Sequence, residues 1–274
     1  MNIFVFDSAK CNGCRNCQIA CKDEHCDTDW LPYAKAQPDT GQFWLKVDEA
    51  VRGQVPKVMI SYTARLCMHC ENAPCAAICE SNAYDRRPDG LLLLNPEKCS
   101  GCGRCASACP YGVIYFNEGL NISQKCTGCA HLLDDGHDAP HCVDVCPHEA
   151  LWYGEETEYD GDLDQTESLY GHDELGSRVY YLNLPKRFIG GMVIDSEQEE
   201  VLIGATITLE NCESEEVLVT QSDEFGDFWF KQIEATHYKL YVEYEGYMTR
   251  VLEVDVSVKD KNVGEIDLYL TPSS

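Results

Sequence analysis

The run Cys-Ser-Gly-Cys-Gly-Arg-Cys-Ala-Ser-Ala-Cys-Pro, from Cys99 to Pro110, limits what this chain can fold into more than any other stretch. Three cysteines spaced three residues apart fit on a tight loop, and the fourth follows one helical turn later. That spacing suits cubane iron-sulfur clusters, with the fourth thiolate reaching a neighbouring cluster. Three more quartets surround it. Cys11, Cys14, Cys17 and Cys21 repeat the spacing, Cys67, Cys70, Cys75 and Cys79 stretch it, and Cys126, Cys129, Cys142 and Cys146 stretch it further. With Cys99, Cys102, Cys105 and Cys109, sixteen of the eighteen cysteines are placed. Lys-Cys-x-Gly-Cys recurs at Lys10, Lys98 and Lys125, which marks an internal duplication. Its glycine, lacking a Cβ, lets the loop bend around an inorganic core and aim N–H groups at the sulfurs.

Two plainer uses of cysteine fit less well. Disulfide frameworks belong mostly to small secreted chains, whereas this one has 274 residues and opens without a signal-peptide pattern. Closed zinc sites also use Cys-x-x-Cys pairs. They need neither the third and fourth cysteines at these intervals nor the prolines after Cys109 and Cys146.

No apolar run approaches the ~20 residues of a membrane span. A soluble protein without a membrane anchor is expected, and a cytoplasmic one, because residues 1–7 read as a strand rather than a leader. The formal net charge of −26 divides as −6 for residues 1–153, −6 for 154–187 and −14 for 188–274. Such a surface disfavours nucleic acid and anionic membranes as partners.

The expected fold class is α+β, in three parts. Residues 1–153 are read as a duplicated, ferredoxin-like iron-sulfur region, with strands at 2–6, 91–95, 113–116 and 120–124 and a short helix at 17–24. Residues 27–65 are expected as an irregular insertion with short strands near 43–47 and 57–61, and with Trp30 and Trp44 packed over the cluster region. His69 is read as a hydrogen-bonding residue near a cluster rather than a ligand, since Cys79 completes its quartet. Residues 154–187 are expected as an acidic linker whose apolar end, 179–182, docks back on the fold. Residues 188–274 are expected as an all-β sandwich or barrel with strands at 188–195, 201–210, 216–222, 227–232, 238–244, 248–256 and 264–270, and a hairpin turn at 223–226. No catalytic constellation falls in this part, so docking or binding is its expected role.

The crossing of fourth cysteines implies two pairings. If the first quartet pairs with the fourth, Cys11, Cys14, Cys17 and Cys146 form one ligand set, and Cys126, Cys129, Cys142 and Cys21 another. If the second pairs with the third, the sets are Cys67, Cys70, Cys75 and Cys109, and Cys99, Cys102, Cys105 and Cys79. The ligand capacity is four [4Fe-4S] clusters, and three are also compatible.

The stretches Cys11-Asn-Gly-Cys-Arg-Asn-Cys-Gln-Ile-Ala-Cys-Lys-Asp-Glu and Cys67-Met-His-Cys-Glu-Asn-Ala-Pro-Cys, the later quartets, and Gly161-Asp-Leu-Asp with Ser168 resemble a known family. It is that of the four-quartet ferredoxin subunits accompanying molybdopterin enzymes of the dimethyl sulfoxide reductase superfamily. One departure is Glu80, where proline usually follows the fourth cysteine. Val201-Leu-Ile-Gly-Ala-Thr-Ile-Thr-Leu and Ser222-Asp-Glu-Phe-Gly-Asp-Phe resemble the prealbumin-like, carboxypeptidase-regulatory-like β domain. The resemblance implies a heterodimer in which a large catalytic subunit holds molybdenum on two pyranopterin guanine dinucleotides. The β appendage narrows it to the transhydroxylases of anaerobic trihydroxybenzene metabolism, which implies conversion of pyrogallol to phloroglucinol with a tetrahydroxybenzene co-substrate. The rival readings are a subunit of another molybdenum oxidoreductase, or a free-standing polyferredoxin whose β domain is a binding module. A diffusing carrier needs neither the insertion nor the acidic segment, which favours the subunit.

Overall fold

Cysteine-rich loops leave little room for regular structure in the first 184 residues of the computed structural model, which describes residues 1–272. In chain order the elements there are β1 (Asn2–Asp7), α1 (Asn16–His25), β2 (Lys46–Gln54), β3 (Lys57–Arg65), α2 (Pro74–Ala77), β4 (Tyr84–Arg86), β5 (Leu92–Leu94), α3 (Arg104–Ala108), β6 (Tyr115–Asn117), β7 (Ile122–Gln124), α4 (Ala130–Asp134), α5 (His141–Asp144), β8 (Leu151–Glu155) and β9 (Val179–Leu182). β1 is the middle strand of a three-stranded sheet, antiparallel to β8 and parallel to β9. Its central residues Ile3, Phe4, Val5 and Phe6 are all buried, the continuous apolar run expected of a strand covered on both faces. The pairs β2–β3, β4–β5 and β6–β7 are separate two-stranded ribbons. Helix α1 packs on α5, and α2 packs on α3.

Two expectations for this region are refined. Within the expected irregular insertion, residues 46–65 form a regular hairpin: the strand expected near 57–61 runs on to Arg65, the one expected near 43–47 begins at Lys46 and runs to Gln54, and Pro56 sits in the turn. The acidic segment 154–187, expected as a linker, carries four short 3-10 turns; its apolar end docks back as expected, pairing as β9 so that Val179, Tyr180, Tyr181 and Leu182 meet Phe4, Val5, Phe6 and Asp7.

The chain divides into two compact units. The first is Met1–Glu49 with Ser61–Leu184; the second is Ala50–Ile60 with the chain from Pro185 onward. In the second unit β10 (Arg187–Asp195), β11 (Glu200–Val201), β12 (Thr206–Asn211), β13 (Val217–Gln221), β14 (Asp227–Ile233), β15 (His237–Glu243), β16 (Arg250–Asp255) and β17 (Lys261–Asp267) form two sheets. One has the order β11-β10-β14, with β17 parallel to β10, and the other the order β13-β12-β15-β16. Alternate residues of both sheets, among them Ile189, Val193, Ile207, Leu209, Phe228, Phe230, Leu240 and Val242, fill a shared core, as in a β-sandwich. The hairpin tip joins this unit through Lys57, whose buried ammonium pairs with Asp227 and lies 5.3 Å from the Trp229 ring centroid.

The expected strand 201–210 is broken into β11 and β12. Between them Gly204 takes φ +78°, and Ser222 Oγ donates to the Leu202 carbonyl while accepting from the Ala205 N–H at 2.9 Å. The 223–226 turn is tight, with Asp223 Oδ1 accepting from the Phe225 and Asp227 amides at 2.9 Å. It is not a hairpin turn, however, because β13 and β14 belong to different sheets.

Candidate metal centres

Each cysteine quartet opens on a loop and closes at a helix. Cys17 and Cys21 lie on α1, Cys75 on α2, Cys105 on α3 and Cys142 on α5. The helix packing therefore decides which thiols meet. With α1 on α5, the thiol of Cys146 bears on Cys11 and Cys17, and Cys14 joins them. Cys21 and Cys142 face each other together with Cys126 and Cys129. Cys109 joins Cys67, Cys70 and Cys75. Cys79, Cys99, Cys102 and Cys105 remain an expected set: the structure brings their two quartets together through α2 against α3 and through the Glu80–Arg104 ion pair at 2.8 Å. Glu80, the residue that departs from the family pattern, thus ties the second quartet to the third. Cys26 and Cys212 stand outside all four sets.

The sets adjoin in a definite order. Cys17 bears on Cys142, Cys67 bears on Cys126, and the Tyr84 hydroxyl lies between Cys75 and Cys105. The first three sets therefore adjoin in the order 11/14/17/146, 21/126/129/142 and 67/70/75/109, with Cys105 of the expected fourth set beyond the Tyr84 hydroxyl. Cys14 and Cys102, one in each end set, are exposed, whereas all four cysteines of the second set are buried.

Burial, reinforced by neighbouring thiolates, pushes the thiols of Cys17, Cys70 and Cys75 up to about 12, and that of Cys126 up to about 11. Thiolates at these positions need a bound cation to offset their desolvation and mutual repulsion. One tetrahedral zinc, with Zn–S near ~2.3 Å, would draw its donors to within roughly 3.8 Å of each other. Among the described residues the one trio of ligand atoms lying within 4.8 Å is Cys26, Asp27 and Asp39, outside the quartets. No three thiols of a quartet lie that close together among the described residues, a wider spacing than one tetrahedral ion gives its donors.

Main-chain donors surround the same sulfurs. The amides of Gly128 and His69 reach Cys126 and Cys67 Sγ at 3.3 and 3.4 Å, and those of Ala83 and Ala150 reach Cys79 and Cys146 Sγ at 3.4 and 3.3 Å. At Gly101, φ is +73° and a Cβ would fall 2.4 Å from the Asn121 carbonyl oxygen, so only glycine fits that loop. His69 is fully buried, and its Nδ1 accepts the Leu92 N–H at 2.9 Å. That bond fixes its neutral tautomer with the proton on Nε2.

A polar group that the sequence did not reveal lies beside the second set. The Glu24 carboxylate holds His131 Nε2 at 2.9 Å and His141 Nδ1 at 3.0 Å. His25, lowered to about 3 by burial, is neutral; its ring lies 4.7 Å from that of Trp44, and its Nε2 lies 3.9 Å from Cys129 Sγ. Trp30 stacks on His131 at 4.2 Å. Apart from His25 and Trp44, these partners are over a hundred residues apart in sequence, and no local periodicity reports them.

The same two-part organisation appears among known proteins. A 4Fe-4S dicluster domain family matches residues 58–156, and a carboxypeptidase regulatory-like domain family matches residues 189–271. The pyrogallol hydroxytransferase small subunit of Pelobacter acidigallici is 36% identical over 267 residues, covering 93% of this chain and 95% of that one. The chain belongs to this family of iron-sulfur subunits. A subunit of the anaerobic dimethyl sulfoxide reductase of Escherichia coli (strain K12) is 36% identical over 151 residues, 55% of this chain and 72% of that one. The iron-sulfur subunit of arsenate respiratory reductase from Shewanella sp. (strain ANA-3) is 29% identical over 232 residues, 65% of this chain and 94% of that one. Among solved structures, the major pilin subunit of Bacillus cereus matches 34% of this chain and 32% of its own at 18% identity and a TM-score of 0.27, too little to carry an argument. Among the described residues no helix is long and apolar enough to cross a membrane.

Proposed function

We propose that this chain is the electron-transfer subunit of a cytoplasmic hydroxytransferase whose large partner holds the molybdenum cofactor and the active site. The reaction proposed for the complex is conversion of pyrogallol to phloroglucinol with a tetrahydroxybenzene as co-substrate. The observation that carries this reading is the extent of the Pelobacter match, which spans both the cysteine-rich unit and the β unit, whereas the dimethyl sulfoxide reductase match covers 55% of the chain.

In this reading the four cysteine sets have the capacity for four [4Fe-4S] clusters in a row, of which three or four would be filled, and none of the sixteen cysteines is catalytic. Bound there, the clusters supply one-electron transfer. The protein's own contribution is to bury the inner sets, to direct amides at the sulfurs and to exclude water with Trp44 and its neighbours. Moving a hydroxyl between aromatic rings needs no net electrons, so two roles are open to the clusters: passing electrons within each turnover, or setting and restoring the oxidation state of the partner's metal.

Isolation of the native complex tests the reading. The expected complex contains this chain and one large subunit, molybdenum, about 12 to 16 irons for three or four cubanes, and pyrogallol-dependent phloroglucinol formation. A complex that instead reduces an S-oxide or arsenate, without acting on pyrogallol, would assign the chain to another molybdenum oxidoreductase. A chain that purifies alone with its iron would be a free-standing polyferredoxin.

A further inference from the structure

The duplicated Lys-Cys-x-Gly-Cys motif contains its own internal control. Lys10 and Lys98 are exposed, and Lys98 pairs with Asp85 at 2.9 Å. Lys125, at the matching position of the fourth quartet, is buried with 2% exposure. Three Lys or Arg side chains are buried among the described residues, and two of them have carboxylates: Lys57 pairs with Asp227 and Arg178 with Glu71. Lys125 has none. Its Nζ donates to two main-chain carbonyls, those of Leu92 and of Cys126, the latter at 3.0 Å.

A buried ammonium held only by neutral dipoles is costly, and folded proteins almost always give such a charge an anionic partner. Thiol sulfurs stand near Lys125. Its charge bears on Cys75 of the 67/70/75/109 set and on Cys126 of the 21/126/129/142 set, the two inner sets that adjoin at Cys67 and Cys126. The Leu92 peptide fixes the arrangement from both sides, with its N–H on His69 Nδ1 and its carbonyl on Lys125.

We propose that Lys125 is a counter-charge shared by the two inner cysteine sets, and that it holds up the reduction potentials of the clusters bound there. The inference rests on the iron-sulfur reading of those sets. Reduction adds negative charge, so a cation buried beside the ligands favours the reduced form, and in a medium of low dielectric it does so more strongly than a surface lysine can.

The test is EPR-monitored redox titration of the purified full-length complex carrying Lys125→Met, Lys125→Gln or Lys98→Met, with iron per chain measured on every sample. Both Lys125 variants should make two of the clusters harder to reduce by tenfold or more in the reduction equilibrium constant, about 59 mV for a one-electron couple. The other clusters and Lys98→Met should stay at wild-type values. The glutamine side chain keeps an N–H for the carbonyls of Leu92 and Cys126, so Lys125→Gln decides the matter if Lys125→Met does not assemble. Midpoints that do not move in Lys125→Gln, or that move equally at every cluster, would overturn the proposal while leaving the iron-sulfur reading intact. Wild-type complex without iron would overturn that reading instead.

Discussion

The two units of this chain show two ways of making a protein interior. The hydrophobic cluster of the second unit is aliphatic and aromatic and contains no cysteine, and it is drawn from strands of up to nine residues that alternate inward and outward. In the first unit eight cysteines belong to the buried core itself, beside Phe4, Phe6, Trp44 and Tyr181, and most helices are only four or five residues long. Helices of that length do not stand alone in water. The β unit can therefore fold on hydrophobic burial, whereas the cysteine-rich unit depends on whatever its thiolates bind.

Removing the metal should separate the two most sharply. Anaerobic chelation of iron from the intact chain is expected to abolish hydrogen-exchange protection in residues 1–49 and 61–184 while strands β10 to β17 stay protected, as read by mass spectrometry of proteolytic peptides. Protection that persists in both units would show that the first is also held by its apolar core.

A smaller break acts within the first unit. Cys109→Ala should cost about four irons, one cubane, and the missing signal should be that of the Cys67, Cys70 and Cys75 set, because Cys109 stands among those thiols. Mössbauer counting with EPR checks this, and loss confined to the Cys99, Cys102 and Cys105 set would contradict the crossing.

On the other side of the comparison, Leu240 is fully buried on the central strand β15. Leu240→Ala should destabilise the β unit by about 2 to 5 kcal/mol and leave iron content unchanged, measured by thermal unfolding beside iron analysis.

The smallest effect is electrostatic. Arg87, through two hydrogen bonds of 2.8 Å, and the Tyr33 hydroxyl hold the Asp134 carboxyl down at about 2, below its ordinary 3.8. A depressed carboxylate adds stability above its unfolded value and loses it as pH falls through 3.8 towards about 2. Asp134 is solvent-exposed and Arg87 half-buried, so the contribution is at most about 1 kcal/mol. Asp134→Asn should remove that pH dependence from acid unfolding curves while changing little at neutral pH.

How much of this is legible in the sequence follows from the range of each signal. Cysteine spacing is local and chemically exclusive, so the four quartets can be read directly from residues 1–153. Strands with sustained alternation, such as β14 and β15, are also legible to within a residue or two. The break at Gly204 is not, because it depends on a hydroxyl from Ser222, eighteen positions on. Strand β8 escapes a local reading and β9 shows only as a docking end, because each is defined by its pairing with β1 at the other end of the unit. The carbonyl-bound Lys125 is equally hidden: its motif is shared with Lys10 and Lys98, and only burial distinguishes it.

The assignment of the hairpin tip Ala50–Ile60 to the second unit has a consequence for synthesis. That unit is discontinuous, and the rest of it begins at Pro185. At roughly 5 to 20 residues per second, the ribosome delivers the tip on the order of 6 to 25 s before the first strand it will join. During that interval Lys57 has no Asp227 to meet, while the three later cysteine quartets, which lie between the two segments, are already available for cluster loading. The order of manufacture thus favours metal first and sandwich second, so a chain starved of iron would present its finished β half with an unsettled neighbour.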